Sequence, residues 1–277
     1  MRHERIKIGF IGYGTRALDA LMEHPLFEVR YFLAPKTRLC EEVCDAARRY
    51  DKQLTMEIVS DNEELAERFN EIDDVDCFLM NACPIILNQK VLERMKVFNI
   101  HPGDLHYNRG HQPHMWTVLL GEQETKIVLH TVGTAIDAGF VIKSVRVPVQ
   151  VEDNAGDVLN HAEDNIPLLL DALYAYLREG APFEEEVKAG GYRQIMDYRD
   201  YEIVAGDSVE TMERKIRARS MNHGAFLQWN GKRIYVDCVT KWIREENETL
   251  WQIEIQEEMV RLQTGKRSIW FHINKVD

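Results

Sequence analysis

The sequence predicts an α/β protein with a doubly wound, mostly parallel sheet and a small β-rich C-terminal domain. Short apolar runs alternate with amphipathic segments from the N-terminus to Gly180, and the turn Gly12-Tyr13-Gly14 follows the first apolar run. Strands that alternate with helices in this way favour a parallel sheet. The pair Asn230-Gly231 between two apolar segments is typical of a β-hairpin and indicates a different architecture near the C-terminus.

The apolar runs and helical periods give the elements in chain order. Thr15 is placed to cap the first helix, Pro167 to bend the last long one and Gly180 to end it. The predicted strands are Ile6–Ile11, Val29–Leu33, Asp76–Met80, Val97–His101, Lys126–Val132 and Phe140–Val149. The predicted helices are one after Thr15, Glu41–Tyr50, one through Leu65, Ala66 and Phe69, Gln89–Met95, and Asp157–Arg178.

Three parts follow from these patterns. The last part is expected to open with a helix near Val209–Ser220, followed by the hairpin Phe226–Val236 and two further strand pairs with a turn at Thr264-Gly265. The apolar hairpins Phe226–Val236 and Leu250–Ile255 are candidates for a dimer surface. The predicted parts are an α/β domain over residues 1–180, a linker packed on the core over 181–206, and a β-rich, OB-like domain over 207–277.

Composition limits the function classes. The chain is 45% hydrophobic and 29% charged, as expected for a soluble globular protein, and its net charge of -12 argues against a broad nucleic-acid surface. The spacing of the five cysteines is not that of a zinc site, and their odd number favours reduced intracellular thiols. The N-terminus leads into a core strand, so we expect a cytoplasmic protein that does not bind a membrane. The cysteines are Cys40, Cys44, Cys77, Cys83 and Cys238.

The strongest candidate site combines Asn99, His101 and Asp137. Asn99 and His101 lie at the end of a predicted strand, and alternation places their side chains on the same face. Asp137 follows another apolar run and could orient the imidazole. An amide, an imidazole and a carboxylate can stabilise an oxyanion and move a proton. A structural role, with Asn99 ending the strand and His101 packed in the core, is the alternative.

Two other patterns compete with this site. The turn Gly12-Tyr13-Gly14 is similar to a dinucleotide-binding turn, but the next predicted strand ends in Leu33-Ala34-Pro35 without the acid that a ribose requires. A tight strand-to-helix turn is therefore the preferred explanation of both glycines. Several histidines near the candidate site raise the question of a metal, but no cysteine or glutamate completes a ligand set, so no metal is expected. They are His101, His106, His111, His114 and His130.

The stretch from Asn99 to Gly139 resembles the catalytic core of the folate-dependent formyltransferases, a superfamily that includes methionyl-tRNA formyltransferase and the nucleotide-sugar N-formyltransferases. The resemblance covers about residues 1–180, with a fainter match at Ile216-Arg217-Ala218 and Gly224-Ala225-Phe226. The pieces in common are Asn99-Ile100-His101-Pro102, Arg109-Gly110, Pro113, Gly121-Glu122, His130-Thr131-Val132, Asp137-Ala138-Gly139 and Glu152-Asp153-Asn154-Ala155.

This resemblance implies formyl transfer from N10-formyltetrahydrofolate to an amine, without a metal. Asn99 and protonated His101 would donate to the tetrahedral oxyanion, and Asp137 would hold His101 and help accept the amine proton. Matched by position, Ile85, Ile86 and Leu87, together with Asp137, would line the pterin pocket, although packing in the core explains the three apolar residues nearly as well.

The chain departs from the family where the usual Ser-Leu-Leu-Pro is replaced by Gly103-Asp104-Leu105-His106. This segment is expected on the acceptor side of the cleft, so Gly103, Asp104 and Arg109 are candidate substrate-binding residues. Asp104 adds a carboxylate that could receive an ammonium or a sugar hydroxyl. The departure concerns the identity of the acceptor more than the reaction.

Charge favours a small amine as the acceptor. Residues 207–277 carry 12 Lys and Arg against 11 Asp and Glu, a formal charge of +1, and only Arg214–Arg219 is locally basic. This disfavours a tRNA, whose phosphates need neutralising charge. A nucleotide-linked amino sugar is the preferred acceptor, and an amino acid, a hydroxylamine or an aminoacyl-tRNA are the alternatives. An NAD-linked oxidoreductase and a non-catalytic folate or nucleotide binder are the rival classes.

Overall fold

A computed structural model describes residues 4–50, 52–188 and 190–277 of the chain. The strands are β1 Ile6–Gly12, β2 Phe27–Pro35, β3 Thr55–Val59, β4 Cys77–Asn81, β5 Val97–His101, β6 Arg109–Gly110, β7 Glu124–Thr131, β8 Gly139–Pro148, β9 Glu185–Val187, β10 Tyr192–Arg193, β11 Ala225–Trp229, β12 Lys232–Gln256 and β13 Met259–Val276. The α-helices are α1 Thr15–Glu23, α2 Glu41–Tyr50, α3 Asn62–Glu71, α4 Gln89–Leu92, α5 Pro113–Leu120, α6 Ala155–Glu163, α7 Ile166–Tyr174, α8 Tyr198–Tyr201 and α9 Val209–Ala218.

The main sheet has eight strands in the order β3-β2-β1-β4-β5-β7-β8-β9. Strands β1 to β5 are parallel to one another, and β7 is antiparallel to β5. The carboxyl ends of the parallel strands therefore meet at one edge of the sheet, where open α/β sheets bind ligands. The fold class that the sequence predicts is confirmed.

Helices cover both faces of this sheet. Ile8 and Phe10 of β1 belong to one apolar cluster with the buried faces of α1, α2 and α7, whereas Ile11 belongs to a second cluster with α3 and α4. Side chains of a strand alternate between the two faces, so one short strand contributes to both layers. This arrangement is the doubly wound one.

The helix boundaries differ from the predictions in several places, and two of these differences have a clear physical cause. Thr15 is the first residue of α1, and Gly14 occupies the N-cap position, so the predicted capping role of Thr15 is wrong. The single long helix predicted over Asp157–Arg178 is divided: α6 ends at Glu163, and α7 begins at Ile166 with Pro167 in its first turn. Proline is tolerated there because the first N–H groups of a helix have no partner within it. A π-helical turn ends at Gly180, which has φ +71° as predicted for the terminating residue.

The chain forms two compact units, and each unit consists of several separate segments of the sequence. The first contains residues 1–110, 126–147 and 161–192, and the second contains 111–125, 148–160 and 193–277. This division differs from the predicted boundaries at residues 180 and 207. The segment expected as an aperiodic linker includes β9, which pairs with β8 at the edge of the main sheet.

The second unit contains a three-stranded antiparallel sheet of β11, β12 and β13. The first hairpin is confirmed, since Asn230 and Gly231 have positive φ and Trp229 pairs with Lys232. The predicted turn at Thr264-Gly265 is wrong, because both residues lie within β13 and the chain reverses at Glu257, which has φ +53°. This sheet has three described strands, two of them long and irregular in register, and the OB-like arrangement stays a prediction.

The Gly12-Tyr13-Gly14 turn is explained by its close approach to Asn81 at the end of β4. A Cβ on Gly12 would lie 1.8 Å from the Asn81 carbonyl oxygen, and a Cβ on Gly14 would lie 1.7 Å from Asn81 Oδ1. The Asn81 amide in turn donates to the Ile100 carbonyl on β5 at 2.9 Å. Both glycines therefore serve the packing of the strand ends. Within the described residues, no helix is long and apolar enough to cross a membrane.

This contact predicts a large difference between two glycine substitutions. Gly12 and Gly180 both have positive φ, but a Cβ on Gly180 would meet no atom within 4 Å. Gly180→Ala should therefore cost about 1–2 kcal/mol for the left-handed backbone alone. Gly12→Ala should cost at least about 2 kcal/mol more, because a backbone atom of Asn81 must move. Urea unfolding of the two variants measures the difference, and equal losses would contradict the packing explanation.

Candidate active site

Neighbouring segments at the edge of the sheet bring the candidate residues together. Asn99 and His101 lie on β5, and His130 lies on β7 directly opposite Asn99 in the antiparallel register. Directly opposed residues share a face of the sheet, so Asn99 and His130 meet. Asp137 lies in the loop between β7 and β8 and contacts Asn99, His101 and His130.

The Asp137 carboxylate joins these groups through its two oxygens. Oδ2 accepts from the Gly110 backbone N–H at 2.8 Å and lies 3.5 Å from His101 Nδ1. Oδ1 lies 3.4 Å from Asn99 Nδ2 and 3.8 Å from His130 Nε2. The side chain of Asp137 is only 13% exposed, so these few donors supply most of the stabilisation of its charge.

The backbone around Asp137 is held in an uncommon conformation. Asp137 has φ +46°, a left-handed value that aspartate tolerates better than most residues. Gly139 follows with φ +142°, and a Cβ there would lie 2.5 Å from the Thr131 carbonyl oxygen. Only glycine fits this position without movement of β7. The Asp137-Ala138-Gly139 sequence thus directs the carboxylate toward the strand ends.

His101 is buried, and each of its ring nitrogens faces an acceptor. Nε2 lies 2.9 Å from the Asn108 carbonyl oxygen, and Nδ1 faces Asp137 Oδ2. Because a carbonyl oxygen can only accept, Nε2 carries a proton. A proton on Nδ1 would lie between the imidazole and the carboxylate, which is the arrangement for passing a proton between them.

His130 has the opposite arrangement. Its Nδ1 donates to the Thr131 carbonyl at 2.9 Å, which leaves Nε2 as the acceptor for Asn99 Nδ2 at 3.1 Å. Complete burial lowers the pKa of His130 from 6.5 to about 4, although the Asp137 charge opposes this shift. His130 is therefore neutral at physiological pH and fixes the orientation of the Asn99 amide.

The predicted acceptor-side residues lie in the loop after β5, and their charges already have partners. Asp104 Oδ2 pairs with Lys126 at 2.9 Å, and Asp104 Oδ1 accepts from the His106 N–H at 2.9 Å. Gly103 is buried. Arg109 donates to the Gly190 carbonyl at 3.3 Å, while its buried Nε has no hydrogen-bond partner among the described residues.

The three predicted pterin-pocket residues differ in burial. Leu87 is buried in the cluster with α3 and α4, Ile85 packs partly against it, and Ile86 is 56% exposed. Asn62 fixes this segment by donating to the Ile86 carbonyl and accepting from the Asn88 N–H, both at 2.9 Å. Burial raises the pKa of the nearby Cys83 thiol to about 11, so this thiol is protonated and unsuited to nucleophilic attack.

The described residues contain no group of three histidine, cysteine, aspartate or glutamate side chains placed to hold a metal ion. The arrangement is instead that of an acid–base and hydrogen-bonding site. Residues 38–170 match the family model described as formyl transferase. This part of the chain is similar to the formyl transferase family.

Individual proteins with formyltransferase in their names are also similar to this chain. Methionyl-tRNA formyltransferase from Mycoplasmopsis pulmonis is 29% identical over 198 residues, which cover 69% of this chain and 66% of the relative. An N-formyltransferase from Helicobacter canadensis, solved with folinic acid and dTDP-3-aminofucose, has a TM-score of 0.66 at 16% identity and covers 97% of this chain and 99% of its own. HypX from Aquifex aeolicus, solved with tetrahydrofolic acid, has a TM-score of 0.66 at 18% identity and covers 97% of this chain but 44% of its own.

The similarity is partial in length and low in identity. The chain spans between 44% and 66% of the length of the curated relatives that it matches. The two solved structures are 18% and 16% identical to this chain, a likeness that shows the fold alone.

The sequence did not single out all the groups that form the site. The sequence places His130 among the histidines near the site, but its role could be assigned only by knowing that it pairs with Asn99 across two antiparallel strands. The contributions of Asn108 and Gly110 come from their backbone and leave no signal in residue type. The partner of Asp104, Lys126, is distant in the sequence and lies on β7.

The depressed pKa of His130 predicts an acid-dependent loss of stability. In the unfolded chain a histidine binds a proton below about pH 6.5, whereas folded His130 does so only below about pH 4. Stability from this residue is thus present above pH 6.5 and is lost as the pH falls toward 4, by on the order of 1–3 kcal/mol. The free energy of unfolding between pH 4 and 7 should show this slope, and His130→Gln should reduce it. An NMR titration midpoint of His130 near 6.5 would contradict this interpretation.

Proposed function

We propose that this protein transfers a formyl group from N10-formyltetrahydrofolate to the amine of a nucleotide-linked amino sugar. The observation that carries the proposal is the joining of Asn99, His101 and Asp137 at one sheet edge, within the segment that matches the formyl transferase family. Asn99, His101 and Asp137 are the catalytic residues of this proposal.

Asn99 supplies the hydrogen-bond donor for the oxyanion. One Nδ2 hydrogen is held by His130 Nε2 at 3.1 Å, and the other faces Asp137 at the longer distance of 3.4 Å. The second contact is weak by length, so this hydrogen is free to turn to a developing negative charge. When the amine nitrogen attacks the formyl carbon, the carbonyl oxygen becomes that charge, and a fixed donor stabilises it without reorganisation.

Asp137 and His101 handle the protons. The attacking amine must lose a proton as its C–N bond forms, and the folate N10 must gain one as its bond to the formyl carbon breaks. Asp137 is the acceptor for the first, and His101, 3.5 Å from it through Nδ1, shares that proton. The Gly110 N–H fixes Asp137 Oδ2 and keeps it directed at the imidazole.

Folate is assigned to the segment Ile85–Leu87, which follows β4, and to Asp137. Asn62 rigidifies this segment through its hydrogen bonds to the Ile86 carbonyl and the Asn88 N–H. A preformed backbone of this kind suits a planar heterocycle with several donors and acceptors.

The sugar-nucleotide acceptor is supported by charge and by length. Gly103, Asp104 and Arg109 form the proposed acceptor side, where the positive charge of Arg109 suits an anionic group. The N-formyltransferase from Helicobacter canadensis, solved with an amino-sugar nucleotide, matches this chain along nearly the whole length of both. The small net charge of the C-terminal residues disfavours a tRNA acceptor.

Incubation with N10-formyltetrahydrofolate and a panel of amines tests the function. We expect tetrahydrofolate release together with a mass gain of one CO on a dTDP- or UDP-linked amino sugar, and no turnover with free amino acids or hydroxylamines. Formylation of an aminoacyl-tRNA in preference to the sugar would overturn the acceptor. Folate binding without formylation of any amine would favour a non-catalytic binder, and oxidation of NADH would favour the oxidoreductase.

Two substitutions separate the proposed roles from folding. Asn99→Ala removes the oxyanion donor and should lower kcat by about 10²–10³-fold. Asp137→Asn keeps a residue that tolerates positive φ but removes the charge, and should lower kcat at least as much. Asp73→Asn, an exposed position, is the matched control and should leave kcat unchanged. Near-normal turnover by folded Asp137→Asn would rule out its role.

A further inference from the structure

The second unit contains an open cavity of about 650 Å³ that shares no residue with the proposed active site. Its walls are the segment 205–208 before α9 and parts of β12 and β13. Three basic residues line it, Arg244 on β12 and Lys266 and Arg267 on β13. The cavity falls within the range of small-molecule pockets.

Arg244 and Arg267 lie close to each other, which is electrostatically unfavourable when no anion is bound. Arg244 and Arg267 are directly opposite each other in the antiparallel register, so their side chains lie on the same face. Like charges directly opposite each other are destabilising. Within the described residues, neither arginine nor Lys266 has an ion pair. The acid that lines the cavity, Asp207, is already bonded to Lys215 Nζ at 2.7 Å.

The basic segment that stands out in the sequence behaves differently. On and after α9, Arg214 pairs with Glu210, Lys215 with Asp207, and Arg217 donates to the Val151 and Asp153 carbonyls. Arg219 lies over the Tyr201 ring at 4.2 Å. These cations have internal structural roles. The cations that can meet a ligand in the cavity are instead Arg244, Lys266 and Arg267 on β12 and β13.

An aromatic residue completes the cavity. Trp242 lies two residues before Arg244 on β12 and is 53% exposed, which is unusual for such a large apolar side chain. Residues i and i+2 of a strand share a face, so the indole lies beside the arginine pair. Exposed tryptophan next to arginine is a combination that stacks a heterocycle while binding its phosphates.

We propose that this cavity binds a nucleoside diphosphate, with its phosphates on Arg244, Lys266 and Arg267 and its base on Trp242. Three cations match the charge of a diphosphate, and the Ser208 end of α9 adds the positive end of a helix dipole. A longer polyanion is disfavoured because the exposed Glu246 and Glu248 follow directly on the same strand. The proposal concerns a second site and does not depend on formyl transfer.

Fluorine NMR of the protein labelled with 5-fluorotryptophan tests this site. The chain has five tryptophans, and Trp242→Phe identifies the Trp242 resonance, while the other four serve as internal references. We expect dTDP to shift the Trp242 resonance in a saturable way and thymidine to have little effect. Arg267→Gln should weaken dTDP binding about tenfold, as expected for one charged hydrogen bond. Lys232→Gln, an exposed change of equal charge on β12, should not.

Several outcomes would overturn the proposal. A Trp242 resonance that does not respond to millimolar dTDP would do so, as would equal responses to thymidine and dTDP. A shift that depends on protein concentration without ligand would indicate an interface between copies of the chain. Tighter binding of a single-stranded oligonucleotide, with a steep salt dependence, would indicate a nucleic-acid site. Formyl transfer measured on Arg267→Gln keeps this test separate, since its loss would indicate an effect on the active site.

Discussion

The Asp137 carboxylate is the interaction on which the candidate site depends. It is a nearly buried charge held by the backbone N–H of Gly110, and it faces the side chains of Asn99, His101 and His130. Without the carboxylate these groups would have no common partner, and without them the carboxylate would be an unpaired buried charge. The left-handed backbone at Asp137 therefore persists because the surrounding hydrogen bonds and Gly139 determine it together.

Two buried histidines beside this carboxylate have different protonation patterns because their backbone partners differ. The Asn108 carbonyl holds a proton on His101 Nε2, so Nδ1 is the nitrogen that faces Asp137. The Thr131 carbonyl holds a proton on His130 Nδ1, so Nε2 accepts from Asn99. One imidazole is thus arranged to exchange protons and the other to fix an amide, although the residue types are identical.

Helices and strands that depend on short-range sequence patterns could be predicted from the sequence. The bounds of α2 and β5 agree with the structure to the residue, and alternation along β5 places Asn99 and His101 on one face. Features that depend on distant pairing could not be predicted: β3 and β9 are short edge strands with glutamates, and β12 continues for 25 residues because β13 supports it. His130 belongs to the same class, since its place in the site follows from the register of two strands.

The replacement of Ser-Leu-Leu-Pro by Gly103-Asp104-Leu105-His106 has an electrostatic consequence for the acceptor. Asp104 introduces a carboxylate, but Lys126 and the His106 N–H bind its two oxygens. Asp104 therefore stabilises the loop and does not act as a free anion. An ammonium group that approaches β5 would then find its negative partner in Asp137, which also has to take its proton. One carboxylate, Asp137, would thus both bind the amine and take its proton. Discrimination between acceptors would depend on contacts with the uncharged parts and the phosphates of the acceptor.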